Sequence, residues 1–292
     1  MKSLGRWSSG VIASVAVLCG AQRSSVADTI VLTPSKDNTL IETIDGATSN
    51  GIGEAVFCGR VGNFGGGFKL RAVMAFDVSA IPAGSTINSV SLTLVLIQTV
   101  NGDQTHMLHR LLADWGEGTS DASGGSGAPS TPGDATWLHT FFPDQFWTNP
   151  GGDFVPVASA SQTVPGVTGP VTWSDPLLAA DVQSWLDAPA TNFGWLMTGN
   201  EDEIFTSKKF ASKDNFVEED RPKLTIDFTP PPPPPPPCPG DITHDGIVNV
   251  ADLLAVINAW GSCTGCAADA NGDDVINVAD LLMVINGWGP CP

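Results

Sequence analysis

The last 55 residues, Cys238 to Pro292, constrain this chain most, because one twelve-residue pattern occurs in them twice. In the first copy, oxygen-bearing side chains fall at positions 1, 3, 5, 9 and 12: Asp241, Thr243, Asp245, Asn249 and Asp252. In the second, 28 residues on, the same positions hold Asp269, Asn271, Asp273, Asn277 and Asp280. That spacing lets a short loop wrap a hard cation such as Ca²⁺, which takes six to eight oxygens, one of them the backbone carbonyl at position 7. Here that carbonyl belongs to Ile247 and to Val275. The segment carries seven Asp and no Lys, Arg or Glu, so without a cation it repels itself. Two Ca²⁺ ions are therefore the expected cofactors, and the rival reading is a pair of loops whose Asp and Asn only cap turns and helices.

The whole chain of 292 residues has a formal charge of −18, which argues against nucleic acid or an anionic membrane surface as partner. Lys2 and Arg6, the apolar run Val11–Gly20 and Ser25-Val26-Ala27 form a secretory signal over residues 1–27, with a mature start at Asp28. No apolar run approaches the roughly 20 residues of a membrane span. A secreted protein, extracellular or held at the cell envelope, is expected. In that setting Cys238, Cys263, Cys266 and Cys291, which frame the two repeats, read as two disulfides. Three pairings are open: within each repeat, crossed, or Cys238–Cys291 with Cys263–Cys266. Cys58 stands alone.

Residues 28–229 read as strands. Ser89–Leu96 and Lys223–Phe228 alternate polar with apolar, and turn signals such as Ile81-Pro-Ala-Gly84 and Asn101-Gly102 separate such runs. One helix follows Ser174-Asp175-Pro176, with Leu178, Val182, Trp185 and Leu186 at helical spacing. The expected fold is mainly β, a jelly-roll-type β-sandwich with one crossing helix, followed by a small α-helical domain of paired calcium half-hands. Pro230 to Pro237, eight prolines, make a stiff polyproline II linker between them. Within the sandwich, Gly116–Asp134 is a long Gly/Ser/Thr/Pro loop, flanked by Trp115, Trp137, His139, Phe141, Phe142, Phe146 and Trp147. These aromatics either plug the end of the sandwich or offer faces to sugar rings.

The segment 238–292 resembles type I dockerins, calcium-binding modules that dock secreted bacterial proteins onto cohesin-bearing scaffolds. Pro-Cys-Pro-Gly before the first loop and the short Gly261–Ala268 joint leave no room for entering helices, as in that family. The resemblance implies that Asp241, Thr243, Asp245, Ile247, Asn249 and Asp252 hold one ion and Asp269, Asn271, Asp273, Val275, Asn277 and Asp280 the other. The exit helices Val250–Trp260 and Val278–Trp288 put Leu253, Val256, Ile257 and Trp260 on one face, matched by Leu281, Val284, Ile285 and Trp288. Those faces are expected to pack about a pseudo-twofold axis, with Val248 and Ile276 bridging the loops. Hydroxyl residues usual at loop positions 10 and 11 are replaced by Val250-Ala251 and Val278-Ala279, so the partner is a cohesin-like or another extracellular protein. Asp274 takes the position of the usual loop glycine.

Residues 28–229 resemble the DNRLRE-type domain, a secreted β-sandwich grouped with carbohydrate-binding modules. Asp37-Asn38-Thr39-Leu40-Ile41-Glu42 matches four of the six motif positions, Thr39 and Ile41 replacing the arginines. Arg71–Asp77, Asp181–Trp185, Asn192–Trp195 and Arg221–Ile226 support it. The resemblance implies polysaccharide as a second partner. The alternatives are a polysaccharide-degrading enzyme, for which Asp114 and Glu117 around Trp115 are the candidate carboxylates, and a structural envelope protein. No GxSxG or HExxH pattern is present, and a non-catalytic protein is expected. Asp37, Glu42 and Asp77 are candidates for a structural cation in the sandwich.

Overall fold

A computed structural model describes residues 26–63, 66–231 and 238–291. Residues 1–25, most of the segment expected to be a secretory signal, and prolines 232–237 lie outside the described residues. The chain divides between Pro231 and Pro232 into two compact units.

The first unit opens with β1 (Asp28–Leu32), β2 (Lys36–Ile41), β3 (Thr48–Ser49), β4 (Ala55–Arg60) and β5 (Lys69–Ala75). Its longest strand, β6 (Thr86–Thr99), turns Ile87, Val90, Leu92, Leu94 and Leu96 inward while serines and threonines face out. Then follow β7 (Gln104–Arg110), β8 (Ala128–Pro129), β9 (His139–Phe141), β10 (Gln145–Phe146), β11 (Ala160–Val164) and β12 (Gly169–Ser174). Helix α1 (Pro176–Asp187), β13 (Trp195–Thr198), β14 (Lys208–Ala211) and β15 (Lys223–Thr229) complete it.

All main pairings are antiparallel, and they join eleven strands into one curled sheet. One leaf has β6 at its centre, with β12 on one edge and β15 and β14 following each other along the other. The second leaf runs β2, β5, β13, β7, β11. Strand β4 passes between the leaves: Ala55–Cys58 pair with β14, then Gly59 and Arg60 with β5. At that switch Gly59 has φ +110°, and a Cβ there would lie 2.8 Å from the Thr206 carbonyl, so the corner requires glycine.

The inner faces share one core that includes Met74, Trp173, Trp195, Phe210 and Ile226, closed by Leu178, Val182 and Trp185 of α1. Asp175 caps that helix by accepting the Leu177 N–H at 2.9 Å, and Pro176 occupies its first turn. Fold class and the single crossing helix of this unit agree with the periodicity of the sequence.

The tryptophans of the aromatic-rich stretch are buried, as the plugging reading expected, but they cover a sheet face. Trp115, Trp137 and Trp147 pack on Leu40, Val73 and Leu196, the outer face of the second leaf. They are buried, with Trp115 Nε1–H donating to the Phe193 carbonyl and Trp147 Nε1–H to that of Thr136, both at 2.9 Å. That leaf is therefore apolar on both sides, and sugar-facing tryptophans are excluded; of the flanking aromatics Phe146 is exposed.

The second unit contains β16 (Ile247–Val248), α2 (Val250–Asn258), β17 (Gly261–Ser262), β18 (Val275–Ile276), α3 (Val278–Asn286) and β19 (Gly289–Pro290). Its small core is Ile242, Val248, Val256, Ala268, Ile276 and Val284. Val248 and Ile276 are buried as expected, but the two loop strands do not pair with each other. Each pairs with the segment that follows the other repeat's helix, β16 with β19 and β17 with β18. Ile257, Trp260, Ile285 and Trp288 correct the helical expectation as well, since they are exposed rather than packed inside.

Of the three pairings, the disulfides are Cys238–Cys291 and Cys263–Cys266, each with Cα atoms 5.9 Å apart. The pseudo-twofold relates them. Asp241 and Asp269 N–H donate to the Cys238 and Cys266 carbonyls, and Cys291 and Cys263 N–H donate to the Gly246 and Asp274 carbonyls. Each disulfide thus joins the exit of one repeat to the entry of the other.

His106, on β7, is fully buried, and its Nε2 has no hydrogen-bond partner among the described residues. Burial pushes its pKa down to about 4, against the Gln104 carbonyl and with help from the Lys208 ammonium. Between pH 6.5 and 4 the unfolded chain binds the proton and the folded one does not, so stability falls as pH falls. In denaturant titrations the wild type should lose about 2 kcal/mol more than His106→Gln between pH 7 and pH 5, the difference cancelling the contribution of buried Asp37, whose raised pKa acts in the opposite direction.

Candidate metal centre

Each twelve-residue loop is shaped by the acids at its ends. Asp252, at position 12, accepts the Thr243 N–H and hydroxyl on Oδ1, both at 2.9 Å, and the Asn249 N–H on Oδ2 at 2.8 Å. Asp280 does the same with the N–H groups of Asn271, 3.2 Å, and Asn277, 2.8 Å. Both are also the third helical residues of a capping box whose N-caps are Asn249 and Asn277. Desolvation raises the pKa of these two carboxyls, but the N–H donors together outweigh it and hold both below the usual carboxylate range.

Position 1 organises the turn. Asp241 accepts the N–H groups of Asp245 and Gly246, and Asp269 those of Gly272, Asp273 and Asp274. Asp245 and Asp273, at position 5, accept the N–H of position 7, Ile247 and Val275, at 2.9 Å. Asn249 and Asn277 donate through Nδ2 to the carbonyls of Ile247 and Val275, at 3.0 Å in both loops. Thr243 and Asn271 fill position 3.

The backbone turns left-handed at positions 4 and 6 of both loops, with one glycine in each. In the first, His244 has φ +60° and Gly246 +85°; in the second, Gly272 has +74° and Asp274 +65°. Asp274 thus adopts the geometry that a short polar side chain tolerates. His244 takes it too, which the sequence did not signal.

The donors suit a hard cation. They are carboxylate, amide, hydroxyl and carbonyl oxygens on loops whose like charges otherwise oppose closure. Among the described residues, neither loop gathers three acids with oxygens within 4.8 Å of one another, since the carboxylates are turned onto loop amides. With Ca²⁺ bound, the ion would supply the compensating charge, and the residues named would hold it.

The acids expected to act in the sandwich are distributed otherwise. Glu42 pairs with Lys69 at 3.5 Å, and Asp77 accepts the Ser79 N–H at 2.9 Å, so neither joins Asp37. Asp114 is bound to Lys36 at 2.7 Å. Glu117 accepts the Asp37 N–H at 2.8 Å and lies 3.2 Å from Lys213 Nζ. Burial raises Asp37 to about 8, opposed by the Lys213 N–H and reinforced by Glu117 and Asp214. Asp214, beside them, is the member of this group that sequence reasoning missed, because nothing local links it to Asp37.

The C-terminal unit has two stabilising devices, the cation loops and the Cys238–Cys291 bridge. Closing a loop of that length contributes about 4 kcal/mol in the chain-entropy model. Circular dichroism should show part of the α2 and α3 signal lost in chelator alone or reductant alone, and all of it lost in both together, with the α1 contribution retained.

No curated protein matches the chain. The family model described as Dockerin type I domain matches residues 239–287, so this segment is similar to modules that bind Ca²⁺ and dock onto cohesin-type partner proteins.

Proposed function

We propose that this is a secreted, non-catalytic protein with two working modules. The C-terminal module, folded on two Ca²⁺ ions held by Asp241–Asp252 and Asp269–Asp280, docks it to a cohesin-like or other extracellular protein. The β-sandwich, similar to DNRLRE-type domains, engages polysaccharide. One observation carries the docking reading. Val250, Leu254 and Ile257 form an apolar stripe along α2, continued by Trp260 just past its end, and Val278, Leu282 and Ile285 of α3 with Trp288 repeat it. All eight side chains are between 47% and 58% exposed. A unit with so small a core leaves this surface uncovered only at a cost, and such paired patches mark protein interaction sites. Val250 and Val278 stand where hydroxyl contacts are usual, and the rest of each stripe is apolar, so the partner's face is apolar too. Two matching stripes allow either of two orientations.

For the sandwich, support comes from an open cavity of about 230 Å³ lined by Phe57, Gln98, Ser123, Phe205, Ser207 and Lys209. Phe205 is half-exposed in a left-handed conformation, φ +61°, that a bulky residue rarely adopts. An aromatic face beside hydroxyl, amide and ammonium groups suits a sugar ring. Hydrolysis finds less support, because Asp114 and Glu117 are tied to lysines.

Surface plasmon resonance of the full chain against a panel of cohesin modules tests the docking. Binding is expected in Ca²⁺ and lost in chelator. Trp260→Ala with Trp288→Ala should weaken it at least about tenfold. Either change alone leaves one stripe intact and should remove only about half the affinity. Binding that persists in chelator, or that the double variant leaves unaltered, would contradict the reading.

A further inference from the structure

Three acids from distant parts of the chain meet at one place in the sandwich. Asp37 lies on β2, Glu117 follows Trp115 in the segment covering the second leaf, and Asp214 sits in the turn after β14. One oxygen from each lies within 4.8 Å of the other two. Oxygens bound to one Ca²⁺ at about 2.4 Å stand no more than about 4.8 Å apart, so this is the spacing of a shared coordination shell.

The second observation is independent of the clustering. Asp37 is only 1% exposed. Its Oδ2 accepts the Lys213 N–H at 2.7 Å, while Oδ1 is buried with no hydrogen-bond partner among the described residues. A buried, unpaired carboxylate oxygen is costly, and such oxygens are the ones that metals satisfy. The Lys213 ammonium lies 3.2 Å from Glu117 Oε1 and 3.1 Å from Asp214 Oδ2, and none of its hydrogen bonds reaches Asp37 Oδ1. With all three carboxyls ionised, as a bound cation would hold them, one ammonium leaves two negative charges to balance, the charge of one divalent ion. The Glu117 and Asp214 side chains are 21% and 33% exposed, which gives an ion a way in.

We propose that Asp37, Glu117 and Asp214 form a divalent-cation site in the β-sandwich, separate from the C-terminal loops, with Lys213 withdrawing as the ion enters. All-oxygen ligands drawn from three irregularly placed segments suit Ca²⁺, which accepts variable geometry, better than Mg²⁺, which demands a regular octahedron. The ion would clamp the covering segment to the sandwich. Glu117 is already held against β2 by the Asp37 N–H at 2.8 Å and by Asn38 Nδ2, which donates to the Glu117 carbonyl at 2.9 Å. The site does not depend on the docking reading, since its ligands are all in the first unit.

Equilibrium dialysis of the full chain against Ca²⁺, with bound calcium counted by atomic emission, tests it. The wild type should retain one ion more than Glu117→Gln or Asp214→Asn, whatever number the C-terminal loops hold. Tryptophan fluorescence should report a sandwich melting transition raised by Ca²⁺ in the wild type and insensitive to it in those variants. Lys213→Met removes the competing ammonium and should tighten this site several-fold. Asp37→Asn should also lose the ion, and the two partly exposed variants decide the matter if that buried change prevents folding. Equal ion counts in the wild type and both partly exposed variants would overturn the proposal. So would a sandwich transition that is the same in Ca²⁺ and in chelator.

Discussion

Mutual repulsion among seven aspartates, in a segment with no Lys or Arg, is the constraint on which the C-terminal unit depends. Loop amides answer part of it: the carboxylates at positions 1, 5 and 12 each accept backbone N–H groups, which shapes the loops and stabilises the ionised acids. Amides are dipoles, however, and carry no net charge, so they position the oxygens without neutralising them. A divalent cation does both. A core of six buried side chains can then serve a unit of this size, because the disulfides and bound Ca²⁺ would take over what hydrophobic burial contributes in larger domains.

The pseudo-twofold connects that constraint to function. It places the two disulfides in equivalent positions, pairs each loop strand with the segment after the opposite helix, and copies the apolar stripe of α2 onto α3. The faces turned inward hold Val256 and Val284; the faces turned outward hold Ile257, Trp260, Ile285 and Trp288. A helix nine residues long with apolar side chains on most of its circumference has two stripes to offer. Periodicity cannot choose between them, and only packing against the partner helix decides which is buried. The loop spacing, by contrast, is a pattern within a single stretch of chain and could be read there, and the turns and caps that its Asp and Asn make follow it.

The sandwich divides in the same way. The alternation in β6 and β15 and the capped helix α1 are local patterns, and they could be read directly. The covering segment could not, because its tryptophans meet Val73 and Leu196 only after two leaves have formed between distant strands. Nor could the meeting of Asp37 with Glu117 and Asp214. Residues 80 and more positions apart share no local signature, and a buried acid with an unpartnered oxygen is visible only in three dimensions. Both departures from the sequence expectation thus have one cause, long-range contacts that bury polar or aromatic groups brought together from distant parts of the chain.

Amide hydrogen exchange of the full chain, with and without Ca²⁺, tests most directly that the C-terminal module is a symmetric, cation-held unit. The account predicts that Ca²⁺ protects the amides of both loops to a similar degree, with Asp245 and Gly246 matched by Asp273 and Asp274, and that chelation releases them together. Protection that is indifferent to chelation, or that Ca²⁺ confers on one loop alone, would contradict it.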